Sequence, residues 1–191
     1  MPEPHDRILT LPNAFTFLRV VLLPVILWAI LEQRFSLALW LMIAGGVSDF
    51  LDGYLARMLK QTSTFGLYLD PIADKLLLSS SFLVLSMADE QIPWMVTGLV
   101  LARDAAIIIT VVVLVVATDL RKFPPSTLGK LNTVMQLIAV FVVLGHIVYR
   151  WQILYWARNA SMFLVAGLVI ASGTQYSFQM LKRVVRETKK K

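Results

Sequence analysis

Apolar residues dominate six stretches of this chain, at roughly 12–31, 37–58, 66–88, 93–117, 128–149 and 153–178. Each is long enough to cross a bilayer as a helix, which takes about 20 residues. The connectors between them are short and polar: "EQRFS", "KQTSTF", "DEQI", "DLRKFPPS" and "RWQ". Pro24 lies inside the first stretch and marks an expected kink. No internal repeat, low-complexity segment or long linker interrupts the pattern. It predicts an all-α, polytopic membrane protein with six transmembrane helices, built as a single domain over residues 1–191.

Composition strengthens this reading. Hydrophobic residues make up 58% of the chain and charged residues 16%. A soluble domain carries about 45–50% apolar residues and about 25% charge. Cysteine is absent, which excludes disulfides, thiolate zinc sites and a cysteine nucleophile. His5 and His146 lie far apart in sequence and suggest no metal pair. The opening "MPEPHDR" carries acids before the apolar run, and no small-residue cleavage site follows. The first apolar run is therefore expected to be a retained membrane helix rather than a signal peptide.

Charge orients the chain. The formal net charge is +6. Arg7, Arg57, Lys60, Arg121, Lys122, Lys130 and the tail "KRVVRETKKK" would share one side of the membrane, with Arg34, Arg150 and Arg158 on the other. The positive-inside rule puts the richer side, with both termini, in the cytoplasm. The expected location is the cell (inner) membrane. The basic tail reads as an anchor in the lipid bilayer, and no nucleic acid partner is expected.

The stretch "DFLDGYLARMLKQTSTFGLYLDPIAD", residues 49–74, holds four aspartates beside strongly apolar sequence. An ionisable group at membrane depth is costly and normally faces a polar cavity. On a helix, with Asp49 at zero, Asp52 lies at about 300°, Gly53 at about 40°, Ala56 at about 340° and Arg57 at about 80°. Gly66, Asp70 and Asp74 follow at intervals of four, each offset by about 40° from the last. The short connector makes the two segments an antiparallel hairpin whose acidic faces can meet near the cytoplasmic end. Converging carboxylates repel unless a cation neutralises them. Their hard oxygens suit Mg²⁺, Mn²⁺ or Ca²⁺, and four of them could hold two ions that clamp a phosphate. Gly53 and Gly66 permit close approach to the backbone, and Arg57 suits phosphate oxygens. Two other readings stay open: a packing clamp neutralised by Arg57 or Lys75, and an ion pathway in a cation transporter. A transporter would show inverted repeats and broken helices, and neither is visible.

The pattern D-x2-D-G-x2-A-R-x8-G-x3-D-x3-D is matched by Asp49, Asp52, Gly53, Ala56, Arg57, Gly66, Asp70 and Asp74. It resembles the signature of the CDP-alcohol phosphatidyltransferase family, and the six-helix layout extends the resemblance over nearly the whole chain. The resemblance implies transfer of a substituted phosphate from a CDP-linked donor to an alcohol, with release of CMP. It implies that Asp49, Asp52, Asp70 and Asp74 hold two divalent cations, Mg²⁺ or Mn²⁺, and that Asp74 is the general base. It implies that Gly53, Ala56, Arg57 and Gly66 line the CDP site, and that the protein is a homodimer.

Other polar positions bear on the acceptor. "LPNAFTFLRVVLLPV", "FGLYLDPIADKLLL" and "GKLNTVMQ" resemble the branch of the family that uses CDP-diacylglycerol. That branch hands its phosphatidyl group to glycerol 3-phosphate or to phosphatidylglycerol. Glycerol 3-phosphate is the expected acceptor and phosphatidylglycerol the alternative. An aspartate, Asp104, follows Arg103 where the first activity leads one to expect glutamate. Arg103 and Asp104 are sequence neighbours about 100° apart on a helix, so they are not expected simply to neutralise each other. Arg103 and Lys130 are candidates for the acceptor phosphate, or each could cap a carbonyl or pair with an aspartate. Asn13, Thr16 and Arg19 recur every three residues along one stripe, as donor contacts or as interhelical hydrogen-bonding groups.

Overall fold

The computed structural model describes residues 11–59, 64–89, 91–117 and 127–188. Side chains are described for 21–48, 75–88, 91–110, 127–178 and 180. The described residues form six helices and no strand: α1 Leu11–Leu31, α2 Phe35–Leu59, α3 Thr64–Asp89, α4 Trp94–Ala117, α5 Thr127–Tyr149 and α6 Gln152–Thr188. The apolar stretches and the helices coincide to within three residues except at one end. The sixth stretch was expected to close near 178, yet α6 runs on to Thr188. Hydropathy falls there, but "LKRVVRET" contains no proline or glycine and is rich in good helix formers. Helix α1 continues unbroken through Pro24.

The chain divides into two compact units, Met1–Asp89 and Glu90–Lys191. In the first unit α1 packs against both α2 and α3. Its buried positions keep helical spacing: Ile26, Ala29 and Ile30 on α1, Ala38, Leu39 and Met42 on α2, Leu78, Phe82 and Leu85 on α3. Ala29 and Ala38 are small and fully buried, which lets helix backbones approach closely where lipid offers no hydrophobic drive. In the second unit α6 packs against both α4 and α5. Its buried stripe is Ser161, Met162, Val165, Val169, Ser172, Tyr176 and Met180.

Two helices among the described residues are long and apolar enough to cross a membrane, over Thr127–Tyr149 and Gln152–Phe178. Shorter apolar helical stretches are Val21–Leu31, Phe35–Ser48 and Lys75–Ala88. The outward surface agrees with a lipid environment. Phe163 is 80% exposed, Met95 76% and Ile153 73%. Large apolar side chains in such number belong against lipid or a partner, not water.

Both described hairpin turns close on a residue with positive φ that is not glycine. At the end of α1, Arg34 N–H donates to Ala29 O at 2.8 Å and Gln33 N–H to Ile30 O at 2.9 Å. This paired closure is the Schellman arrangement, with Gln33 at φ 57°. At the end of α5, Arg150 N–H donates to His146 O at 2.9 Å with Arg150 at φ 53°. A left-handed conformation costs a residue with a Cβ about 1–2 kcal/mol, and glycine escapes that cost. Gln33→Gly and Arg150→Gly should each raise stability by about 0.5–1 kcal/mol. Thermal unfolding of the detergent-solubilised protein checks this, since a lower Tm for either variant contradicts it.

Candidate active site

The acidic signature falls on two consecutive helices. Asp49, Asp52, Gly53, Ala56 and Arg57 lie in the last turns of α2, and Gly66, Asp70 and Asp74 in the first turns of α3. The side chains of all eight lie outside the described residues, as do those of Asn13, Thr16 and Arg19 on α1. What the backbone settles is level. Leu59 and Thr64 are five residue steps apart, so the two helix ends lie within about 18 Å. The acidic ends of α2 and α3 therefore share one end of the first unit.

Helix α1 comes back to that same end. The turn between α1 and α2 spans three residues, 32–34. Further along, a Cβ built on Gly45 would meet Leu22 Cδ1 at 3.8 Å. Leu22 lies nine residues before the end of α1, and Gly45 ten after the start of α2. This is an antiparallel register. Carried on along both helices, it sets positions 13, 16 and 19 of α1 level with positions 54, 51 and 48 of α2. The polar stripe of α1 and the aspartates of α2 thus share a level of the first unit.

The second unit holds the candidate acceptor residues, and here one expectation is corrected. Arg103 and Asp104 do pair: Arg103 Nη1 donates to Asp104 Oδ1 at 2.7 Å, with the side chains 8% and 11% exposed. Their Cβ atoms diverge, but an arginine stem is long enough to fold back across one residue. Few other routes lower the cost of a buried guanidinium so far. The pairing uses only part of the arginine. Its Nε is buried without a hydrogen-bond partner among the described residues. Lys130, in the first turn of α5, is exposed.

Register relates these two residues. Gln91 O accepts from Arg158 Nε at 2.9 Å, and Arg103 Cγ lies 3.9 Å from where a Cβ on Gly173 would stand. From 91 to 103 on one side the partners advance from 158 to 173, so α4 and α6 run parallel. Gly145 faces Leu154 Cδ1 at 3.7 Å across the two-residue turn, so α5 and α6 run antiparallel. By these pairings Arg103 is level with position 173 of α6 and Lys130 with about position 169. The axial separation is about 6 Å. Both cations are level with the middle of α6, which runs from Gln152 to Thr188. A cleft of about 620 Å³ opens between α4 and α6, with Arg103 set among Leu99, Val169, Ile170 and Phe178.

Sequence reasoning passed over two residues on α5. Asn132 is fully buried and Gln136 is 3% exposed. Neither Asn132 Oδ1 nor Nδ2, nor Gln136 Nε2, has a hydrogen-bond partner among the described residues. An unpaired buried polar group costs about 1–3 kcal/mol. The available signal was two amides four residues apart in an otherwise apolar run, inside the quoted "GKLNTVMQL". Among the described residues no group of His, Cys, Asp or Glu could hold a metal ion.

Comparison with known proteins completes the picture. The family model for CDP-alcohol phosphatidyltransferase matches residues 9–171, so the chain belongs to that family. It is 32% identical over 194 residues to the "Probable cardiolipin synthase (CMP-forming)" of Drosophila melanogaster, covering 93% of this chain and 59% of that protein. It is 30% identical over 182 residues to the "CDP-diacylglycerol--glycerol-3-phosphate 3-phosphatidyltransferase" of Aquifex aeolicus, covering 94% of this chain and 100% of that protein. A Bacillus subtilis protein of the same name is 30% identical, covering 87% of this chain and 92% of that protein. The chain thus spans little more than half of the animal relatives, which include the human cardiolipin synthase at 55%, and the whole of the Aquifex one.

The Arg103–Asp104 pair makes a direct prediction. Asp104→Ala leaves a buried guanidinium without its carboxylate and should cost about 3–5 kcal/mol. Asp104→Glu keeps the charge and should retain most of that stability. Equal Tm values for wild type and Asp104→Ala would show that the pair contributes nothing.

Proposed function

We propose that this chain transfers the phosphatidyl group of CDP-diacylglycerol to glycerol 3-phosphate, giving phosphatidylglycerophosphate and CMP. The observation that carries this reading is the eight-position signature on the adjoining ends of consecutive helices α2 and α3, inside the family match. The name of the Aquifex relative, covered over its full length, supports glycerol 3-phosphate as acceptor. A second acceptor, phosphatidylglycerol, is favoured by the names of the fly and human relatives. The apolar walls around Arg103 would also suit an acceptor carrying acyl chains.

In the proposed reaction the acceptor hydroxyl oxygen attacks the phosphatidyl phosphorus of the donor. The new P–O bond forms as the bond to CMP breaks. Asp74 takes the hydroxyl proton. Asp49, Asp52, Asp70 and Asp74 offer only hard oxygen donors, which fits a pair of Mg²⁺ or Mn²⁺ ions. Such ions, when bound, would offset charge on the donor phosphates and the departing CMP. Gly53, Ala56, Arg57 and Gly66 would line the CDP site, with Asn13, Thr16 and Arg19 beside them at the same level. Arg103 and Lys130 would hold the acceptor phosphate, the arginine through donors that Asp104 leaves free.

Topologically, we read all six helices as spans of one domain in the cell membrane. Helix α1, with 21 residues, is about 31 Å long, the thickness of a hydrocarbon core. An even number of spans with basic residues at the ends and in alternate connectors supports cytoplasmic termini and a cytoplasmic active site. A homodimer is the assembly the family resemblance implies.

Purified protein supplied with CDP-diacylglycerol and either acceptor should release CMP and form the matching lipid, read by mass spectrometry. Excess chelator should abolish turnover, and Mg²⁺ or Mn²⁺ should restore it. Undiminished turnover in chelator would remove the two-ion reading. Asp74→Asn should lower kcat by about 10²–10⁴-fold while the donor still binds, whereas Asp49→Asn and Asp70→Asn should lose metal and activity together. Normal turnover by Asp74→Asn would assign the base elsewhere. The natural absence of cysteine makes topology easy to test. Lys60→Cys, in the α2–α3 connection outside the described residues, should react with an impermeant thiol reagent only from the cytoplasmic face.

A further inference from the structure

The buried face of α5 carries two primary amides that the fold itself does not use. Asn132 has no exposed surface and Gln136 is 3% exposed, on a face otherwise built of Ala139, Val140, Val143 and Leu144. Several hydroxyls elsewhere in these helices bond to their own backbone, although Ser81 Oγ on α3 is also buried without a partner among the described residues. Ser86 donates to Phe82 O at 3.0 Å, Thr133 to Gly129 O at 3.1 Å and Ser172 to Val169 O at 3.2 Å. Asn132 Oδ1 and Nδ2 and Gln136 Nε2 have no such partner among the described residues. A low-dielectric interior makes that arrangement costly unless something else completes it.

The unpaired atoms define what would fit. They are one carbonyl oxygen and two amino groups, one helical turn or about 6 Å apart along the axis. A phosphate would leave the carbonyl oxygen unsatisfied, and a cation would leave the amino groups unsatisfied. Hydroxyls both donate and accept, so a polyhydroxy group of neutral charge satisfies all three. The helix that carries them also carries Lys130, and its unit carries Arg103. The donor signature lies wholly on α2 and α3.

We propose that Asn132 and Gln136 bind the hydroxyls of the acceptor's glycerol moiety and so determine acceptor specificity. This rests on the phosphatidyl-transfer reading and deepens it. The same glycerol chemistry is present in free glycerol 3-phosphate and in the headgroup of phosphatidylglycerol.

The test compares wild type with Asn132→Leu and Gln136→Met, both near in size to the original side chains. Each protein is measured for KM toward glycerol 3-phosphate, toward phosphatidylglycerol in mixed micelles and toward CDP-diacylglycerol, and for Tm without substrate. Each variant should raise the acceptor KM roughly tenfold, the loss of about one or two hydrogen bonds. The donor KM should hold, and Tm should stay level or rise because an unpaired amide has gone. The acceptor whose KM moves identifies the source of the glycerol group. A fall in Tm with unchanged KM values would make the amides interhelical struts and overturn the proposal. So would a raised donor KM, which would put them against the nucleoside. Asn132→Ala, which adds no bulk, replaces Asn132→Leu if that variant fails to fold. Wild type that releases no CMP with either acceptor would overturn the transfer reading itself, a failure visible before any variant is compared.

Discussion

Charge is expensive among closely packed apolar helices, and the polar features of this chain follow from how that expense is met. Buried Arg103 folds back onto Asp104 at 2.7 Å. Arg158 reaches the Gln91 carbonyl at 2.9 Å, tying the start of α6 to the residues before α4. Arg34 sets its guanidinium 5.1 Å above the Trp28 ring at the first hairpin turn, where an aromatic face offers a further stabilising contact. Several serine and threonine hydroxyls, Ser86 and Thr133 among them, turn back onto carbonyls one turn earlier. Against that background, the four aspartates on α2 and α3 and the two unpaired amides on α5 are the groups for which we propose a ligand.

The helices were legible because apolar length alone specifies them. Six long apolar runs separated by short polar connectors leave little else to form, and the ends agree to a few residues. Where the reading failed, a different force was acting. Hydropathy drops after position 178, but helix propensity does not, so α6 continues to Thr188. The turns at Gln33 and Arg150 gave no glycine or asparagine to announce them. Their left-handed geometry comes from the tightness of the hairpins rather than from local preference.

The candidate site was legible to a different degree. Eight residues at fixed gaps identified the family, which the match over residues 9–171 bears out. The Arg103–Asp104 pair was misjudged because helical angles locate Cβ atoms, and an arginine head lies several bonds beyond its Cβ. Asn132 and Gln136 were overlooked for a related reason. Two amides in an apolar helix look the same in sequence whether they bridge helices or wait unpaired. Only the burial and the missing partners distinguish the two cases.

The brevity of the turns bears on how the chain enters a bilayer. In the proposed topology, α1 with α2 and α5 with α6 each cross and return through a connection of only two or three residues. Such a pair can enter as a preassembled hairpin, its two helices already in contact with each other. What must be carried through to the far side is then small. In the first hairpin it is Glu32, Gln33 and Arg34, whose charges cancel. In the second it is Arg150 with Trp151 beside it, a single charge accompanied by a side chain at home in the headgroup layer. Membrane insertion of these two pairs would therefore depend little on translocating polar sequence and mostly on how well each pair of helices fits together.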